Sequence, residues 1–230
     1  MVYPMNIKQF IHKKNKIKSA PQIWLTDNFI ESSEIKQMIR NGKGQEYYQD
    51  WTKHTDNSVR YTLAETGYAP DVFIHDKELP IREMVIRKYP EYLPHLLGSS
   101  ENLMLVNEYL EMQTEISVPT LKQHITDLKN DKRGYHTEDM ETKLKALLYE
   151  PTAIEQTMSP LQLYQAGSPL WAKPFTPLAI YQIQSVERSH GKDAASPLVD
   201  PLMSTSERQE MMWEIGKDDD TETEYYIRWR

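Results

Sequence analysis

Seven of the fourteen prolines fall between residues 151 and 201, and no other feature restricts this chain so directly. Proline fixes φ and lacks an N–H, so each one interrupts a helix interior or a central strand. With only eight glycines beside them, the pattern reads as stiff extended connections with few tight turns. The segment 151–201 is therefore expected to lie extended on a surface rather than to fold compactly alone.

A chain of 230 residues can bury about 70% of its unfolded surface, which suits one domain of moderate size with additions. Hydrophobic residues make up 39% and charged residues 27%, a polar balance in which 14 Tyr and 5 Trp must anchor the packing. There is no cysteine, which excludes disulfides, thiolate-bound zinc, iron–sulfur clusters and thiol catalysis. No run approaches the roughly 18 apolar residues of a membrane span.

Net charge is -7, and it is unevenly spread. Residues 1–26 carry Lys8, Lys13, Lys14, Lys16 and Lys18 and no acid, which leaves an acidic body. That body argues against a broad nucleic-acid surface. The N-terminal arm, residues 1–20, can touch phosphate, a membrane or an acidic partner. Its Ile7, Phe10 and Ile11, spaced i, i+3, i+4 among lysines, resemble a mitochondrial targeting segment; the plainer reading is a solvated basic tail.

Along the chain, residues 21–30 read as a strand. Ser32 or Ser33 caps a helix with Ile35, Met38 and Ile39 on one face, and Gly42 ends it. Residues 43–60 read as a loop leading to a strand near Val59 to Leu63. Pro80 opens a helix carrying Ile81, Met84 and Val85, stopped by Pro90 and Pro94. Residues 103–109 read as a buried strand. Ser117 and Pro119 open a helix with Leu121, Ile125 and Leu128. Thr137 caps another with Met140, Leu144, Leu147 and Leu148. Leu178 to Val186 reads as a strand, and 196–212 as loop with a short helix. Residues 223–230 alternate apolar Tyr225, Ile227 and Trp229 with polar neighbours, the period of a half-buried strand. No internal repeat emerges from this reading.

Several segments resemble a known family. Asp27 to Ile39 is similar to the entry of AlkB and prolyl-hydroxylase-type oxygenases. Leu105-Val-Asn-Glu-Tyr109 resembles the strand before their metal motif, and Lys145 to Ile154 the segment after it. Leu178-Ala-Ile-Tyr181 followed by His190-Gly191 resembles the strand and distal histidine. Glu224 to Arg230 resembles the closing strand, and the whole lies nearest the mitochondrial AlkB homologues. The resemblance implies an α+β fold: a double-stranded β-helix (jelly-roll) core with N-terminal helices. The domain would span 21–230, with a helical insertion at 117–149 and the Pro-rich segment at 151–201.

Iron chemistry in that family uses a His-x-Asp/Glu pair and a distal His. Val118 and Thr120 stand where the pair is expected, and neither can ligate iron. The resemblance therefore implies a non-catalytic pseudoenzyme without catalytic residues or cofactor. Such a chain would act as a structural adaptor among the other protein subunits of a larger assembly, inside the cell and with the mitochondrion as one compartment. The alternative is an active iron(II)/2-oxoglutarate oxygenase, with His136, Glu138 and His190 as metal ligands after an insertion. Arg230 would grip the cosubstrate carboxylate, against repulsion from Glu224. Lesser candidates are His124 with Asp127, spaced i, i+3 on a helix; Glu108 with Glu111, flanking Tyr109; and a Met211-Met212-Trp213 patch suited to packing or docking.

Overall fold

The computed structural model describes residues 31–217. Every regular element among them is helical, so the expected jelly-roll core is corrected to an all-helical architecture. The arm 1–20, the expected strand at 21–30 and the closing strand with Glu224 and Arg230 lie outside the described residues.

The prolines account for much of the difference. Pro70, Pro80, Pro119, Pro160, Pro169, Pro177 and Pro197 each occupy the first turn of a helix. A first-turn N–H has no intrahelical partner, so proline loses nothing there, and its fixed φ favours the helix. The hydroxyls of Ser117, Ser159, Ser168 and Thr176 accept N–H bonds from the turns they precede. The segment 151–201 is thus a series of capped helix starts, not an extended strap.

The chain separates into two compact units, Met1–His95 and Leu96–Arg230. In the first, helix α1 (Ser32–Arg40) buries Ile35 and Ile39. It ends in a Schellman closure: Lys43 N–H reaches Met38 O at 2.8 Å and Gly42 N–H reaches Ile39 O at 2.9 Å, with Gly42 at φ 64°. The supposed loop at 43–60 contains a 3₁₀ turn (Gln45–Tyr47) and helix α2 (Tyr48–Trp51). Then come α3 (Asn57–Glu65), α4 (Pro70–Phe73) and α5 (Leu79–Lys88), followed by a 3₁₀ stretch, Pro90–Leu96. Val59 to Leu63 is not a strand. Asp56 caps it as a helix through Ser58 N–H at 2.8 Å, and Val59 and Leu63 are fully buried one turn apart.

A repeat becomes visible once the contacts are known. Val59-Arg60-x-x-Leu63-Ala64 on α3 and Ile81-Arg82-x-x-Val85-Ile86 on α5 are all buried, at an offset of 22 positions in the numbering. Arg60 Nη1 donates to His54 O at 2.7 Å, and Arg82 Nη1 donates to Asp76 O at 2.6 Å. Within the same turns, His54 Nδ1 accepts Asp56 N–H and Asp76 Oδ1 accepts Glu78 N–H. Asp76 also takes a bidentate pair from Arg60, Nε–Oδ2 2.7 Å and Nη2–Oδ1 3.0 Å, which ties one repeat to the next. Helix α3 packs between α1 and α5. Gly67 follows α3 at φ 86°, where a Cβ would sit 2.2 Å from Tyr89 Oη.

In the second unit, α6 (Leu103–Glu111), α7 (Val118–Asn130), α8 (Glu138–Leu148), α9 (Pro160–Ala166), α10 (Pro177–His190), α11 (Lys192–Ala195) and α12 (Thr205–Gly216) form a bundle. Both expected strands here are helices with a helical stripe: Leu103, Val106 and Leu110 on α6, and Ala179, Ile183 and Val186 on α10, all buried. Helix α10 packs against α6, α8, α11 and α12. Tyr164, Trp171 and Phe175 stack beside it, with centroids 5.2 and 5.8 Å apart. The α8 stripe is rotated from expectation. Asp139, Met140, Lys143 and Ala146 are buried, while Leu148 is 53% exposed. Among the described residues, no helix is long and apolar enough to cross a membrane.

Candidate functional site

His136 is exposed just before α8. Glu138, in the first turn of α8, pairs with Arg188 of α10 at 2.6 Å. His190, at the end of α10, has its Nδ1 2.6 Å from Ser189 Oγ. Among the described residues, no three His, Asp or Glu side chains are placed to hold a metal ion, so these three do not converge as a ligand set. Arg230 lies outside the described residues.

The lesser candidates separate likewise. His124 is fully buried, with Nε2 3.2 Å from Asn107 Oδ1, and burial lowers its pKa to about 4. Asp127 turns elsewhere and accepts Gly98 N–H at 2.8 Å. Glu108 is exposed, and Glu111 accepts Asn107 Nδ2–H at 2.7 Å. Met212 is buried in the core while Trp213 is 48% exposed.

What the fold does assemble is a groove of about 300 Å³ on the first unit, crossing α1, α3 and α5. Lys36 and Arg40 form the α1 wall, Asn57 and Tyr61 rise from α3, and Glu78 and Pro80 form the α5 side. Buried Thr62 and Ile81 make the floor, and Tyr61 is 40% exposed. Helices α3 and α5 carry the two copies of the repeat, and α1 packs against α3, so the groove runs over three adjoining helix faces. Hydrogen bonds from Ser32 and Ser58, helped by the charge of Lys36, hold the Asp56 carboxyl down at about 2. Arg40 is exposed, and it makes no hydrogen bond or ion pair among the described residues.

A second, open cleft of about 690 Å³ lies in the other unit, lined by Thr114, Glu115, Ile116, Ser117, Leu147, Lys173 and Pro174. One turn from Leu147, Lys143 is fully buried and donates to the carbonyls of Lys173 and Phe175. Burial, with Lys173 nearby, lowers its pKa to about 8. With two of its N–H groups engaged by carbonyls, Lys143 serves as a tie between α8 and the turn ahead of α10.

Compared with protein-family models, curated proteins and solved structures, the chain gives no match.

Proposed function

We propose that the chain is a non-catalytic adaptor that holds a partner protein in the groove across α1, α3 and α5, as one subunit of a larger assembly. The observation that carries this reading is the groove itself. It is an open channel with charged walls and an exposed aromatic at its centre, built across three packed helices. Partner segments dock in grooves over packed helices, and an exposed tyrosine offers a large contact area at low entropic cost. Between residues 31 and 95, nine basic side chains stand against eleven acidic ones, a balance that disfavours a polyanion as the partner.

Site-specific photo-cross-linking tests the reading in the cells that make the protein. A cross-linker in place of Tyr61 should give a discrete protein adduct. The same group in place of Lys53, exposed and outside the groove, should not. Equal adducts at both positions, or none at Tyr61, would refute it.

A further inference from the structure

The groove is electrically polar from wall to wall. On the α1 side stands Arg40, whose guanidinium makes no ion pair among the described residues, with Lys36 one turn earlier. On the α5 side stands Glu78. Its backbone precedes α5, but its carboxylate makes no cap bond. Arg60, which feels the Glu78 charge, is already committed to Asp76 by two hydrogen bonds. Between the walls lie the ring of Tyr61 and the exposed ring of Pro80 over Ile81. A positive wall, an apolar middle and a negative wall form an ordered recognition pattern.

Resting on the adaptor reading, we infer that the groove binds a short extended peptide segment of a partner protein carrying one acidic and one basic side chain on either side of an apolar residue. The acidic side chain pairs with Arg40, the apolar one lies on Tyr61 and Pro80, and the basic one pairs with Glu78. Axes of packed helices lie about 8–10 Å apart. The walls stand on either side of α3, about two such spacings apart at their axes, and their long side chains line one groove between them, while an extended peptide advances about 3.3 Å per residue. The two peptide charges therefore stand about three to five residues apart. A doubly acidic segment would meet Glu78, and a doubly basic one would meet Arg40. Like-charge contact makes the groove reject both.

The probes are synthetic fluorescein-labelled peptides of about ten residues in a neutral Gly/Ser/Thr background. They carry Glu, a central Phe and Lys in either chain order, with doubly acidic, doubly basic and neutral versions beside them. Anisotropy titration with the full chain should show one opposite-charge order binding at least about tenfold tighter than the others, the worth of a charge-assisted hydrogen bond. The double variant Arg40→Glu with Glu78→Lys should prefer the opposite order. If that variant loses its far-UV circular dichroism, the single variants Arg40→Gln and Glu78→Gln each remove one wall. Each should then abolish discrimination at its own end only. Equal binding of all peptides, no binding, or a preference untouched by these substitutions overturns the inference. A cross-linked partner at Tyr61 together with failed peptide discrimination would sink the charge pattern alone and leave the adaptor reading standing.

Discussion

Both units tie their backbones with buried cationic side chains, yet they do so over different distances. In the first unit, Arg60 and Arg82 reach carbonyls six residues back, and Arg60 pairs with Asp76 sixteen residues on. In the second, Lys143 reaches carbonyls 30 and 32 residues away, under an apolar cluster around α10. Arg208 there makes a local tie as well, to the carbonyls of Leu198, Asp200 and Met203, but lies 5.5 Å from the Phe175 ring centroid, 33 positions back in the chain, so the long reach in this unit is carried by Lys143 and by that ring contact. Local ties make repeats that depend on their neighbours, while distant ties make one cooperative body. The first arrangement suits an open binding face; the second suits a stable base.

The largest expected effects separate the two kinds of tie. Arg60→Ala strands the nearly buried Asp76 carboxylate and should cost about 3–5 kcal/mol by urea unfolding. Trp171→Ala should cost a similar ~3–5 kcal/mol in the second unit, by opening a cavity instead of stranding a charge.

The pH responses come next. Lys143 has a folded pKa of about 8, against 10.5 ordinarily. The folded state therefore disfavours its proton, and stability should rise as pH climbs from about 8 to 10.5. The gain, measured against Lys143→Met, should be on the order of 3 kcal/mol. His124, at about 4 against 6.5, should lose a comparable amount as pH falls from about 6.5 to 4. A His124→Leu chain should show a flatter thermal-melt profile across that window. If these slopes persist in the variants, the buried groups do not set them.

Smaller effects refine the picture. Ser159→Ala removes half of a capping box and should cost about 1 kcal/mol. Arg40→Gln, exposed and without an ion pair among the described residues, should change stability by less than about 0.5 kcal/mol while weakening peptide binding. A large stability loss there would make Arg40 part of the scaffold rather than of the groove.

The parts of the fold that were legible share a physical cause. Ser117, Pro119 and the Leu121, Ile125, Leu128 stripe fall as expected on α7, because cap and period agree. Gly42 closes α1 because a left-handed residue was needed there. At 103–109 and 178–186, apolar runs fit strand or helix equally well, and resemblance to a barrel favoured the wrong one. The deciding signal was short. Ser159-Pro160-Leu161, Ser168-Pro169-Leu170 and Thr176-Pro177-Leu178 each place a cap before a first-turn proline. The repeat was also written in the chain, as Val-Arg-x-x-Leu-Ala and Ile-Arg-x-x-Val-Ile. A buried arginine in each copy hid it, since arginine reads as surface. The groove had no signature at all, because Arg40, Tyr61 and Glu78 become neighbours only when three helices stack.

Amide hydrogen exchange on an Asp76→Asn chain tests most directly whether the arginine tie holds the repeat, and with it the groove, together. Asparagine keeps the turn but cannot pair ionically with Arg60. The account predicts faster exchange in α1, α3 and α5, with α10 unchanged. Exchange unaltered in α3 and α5, or raised equally in α10, would contradict it.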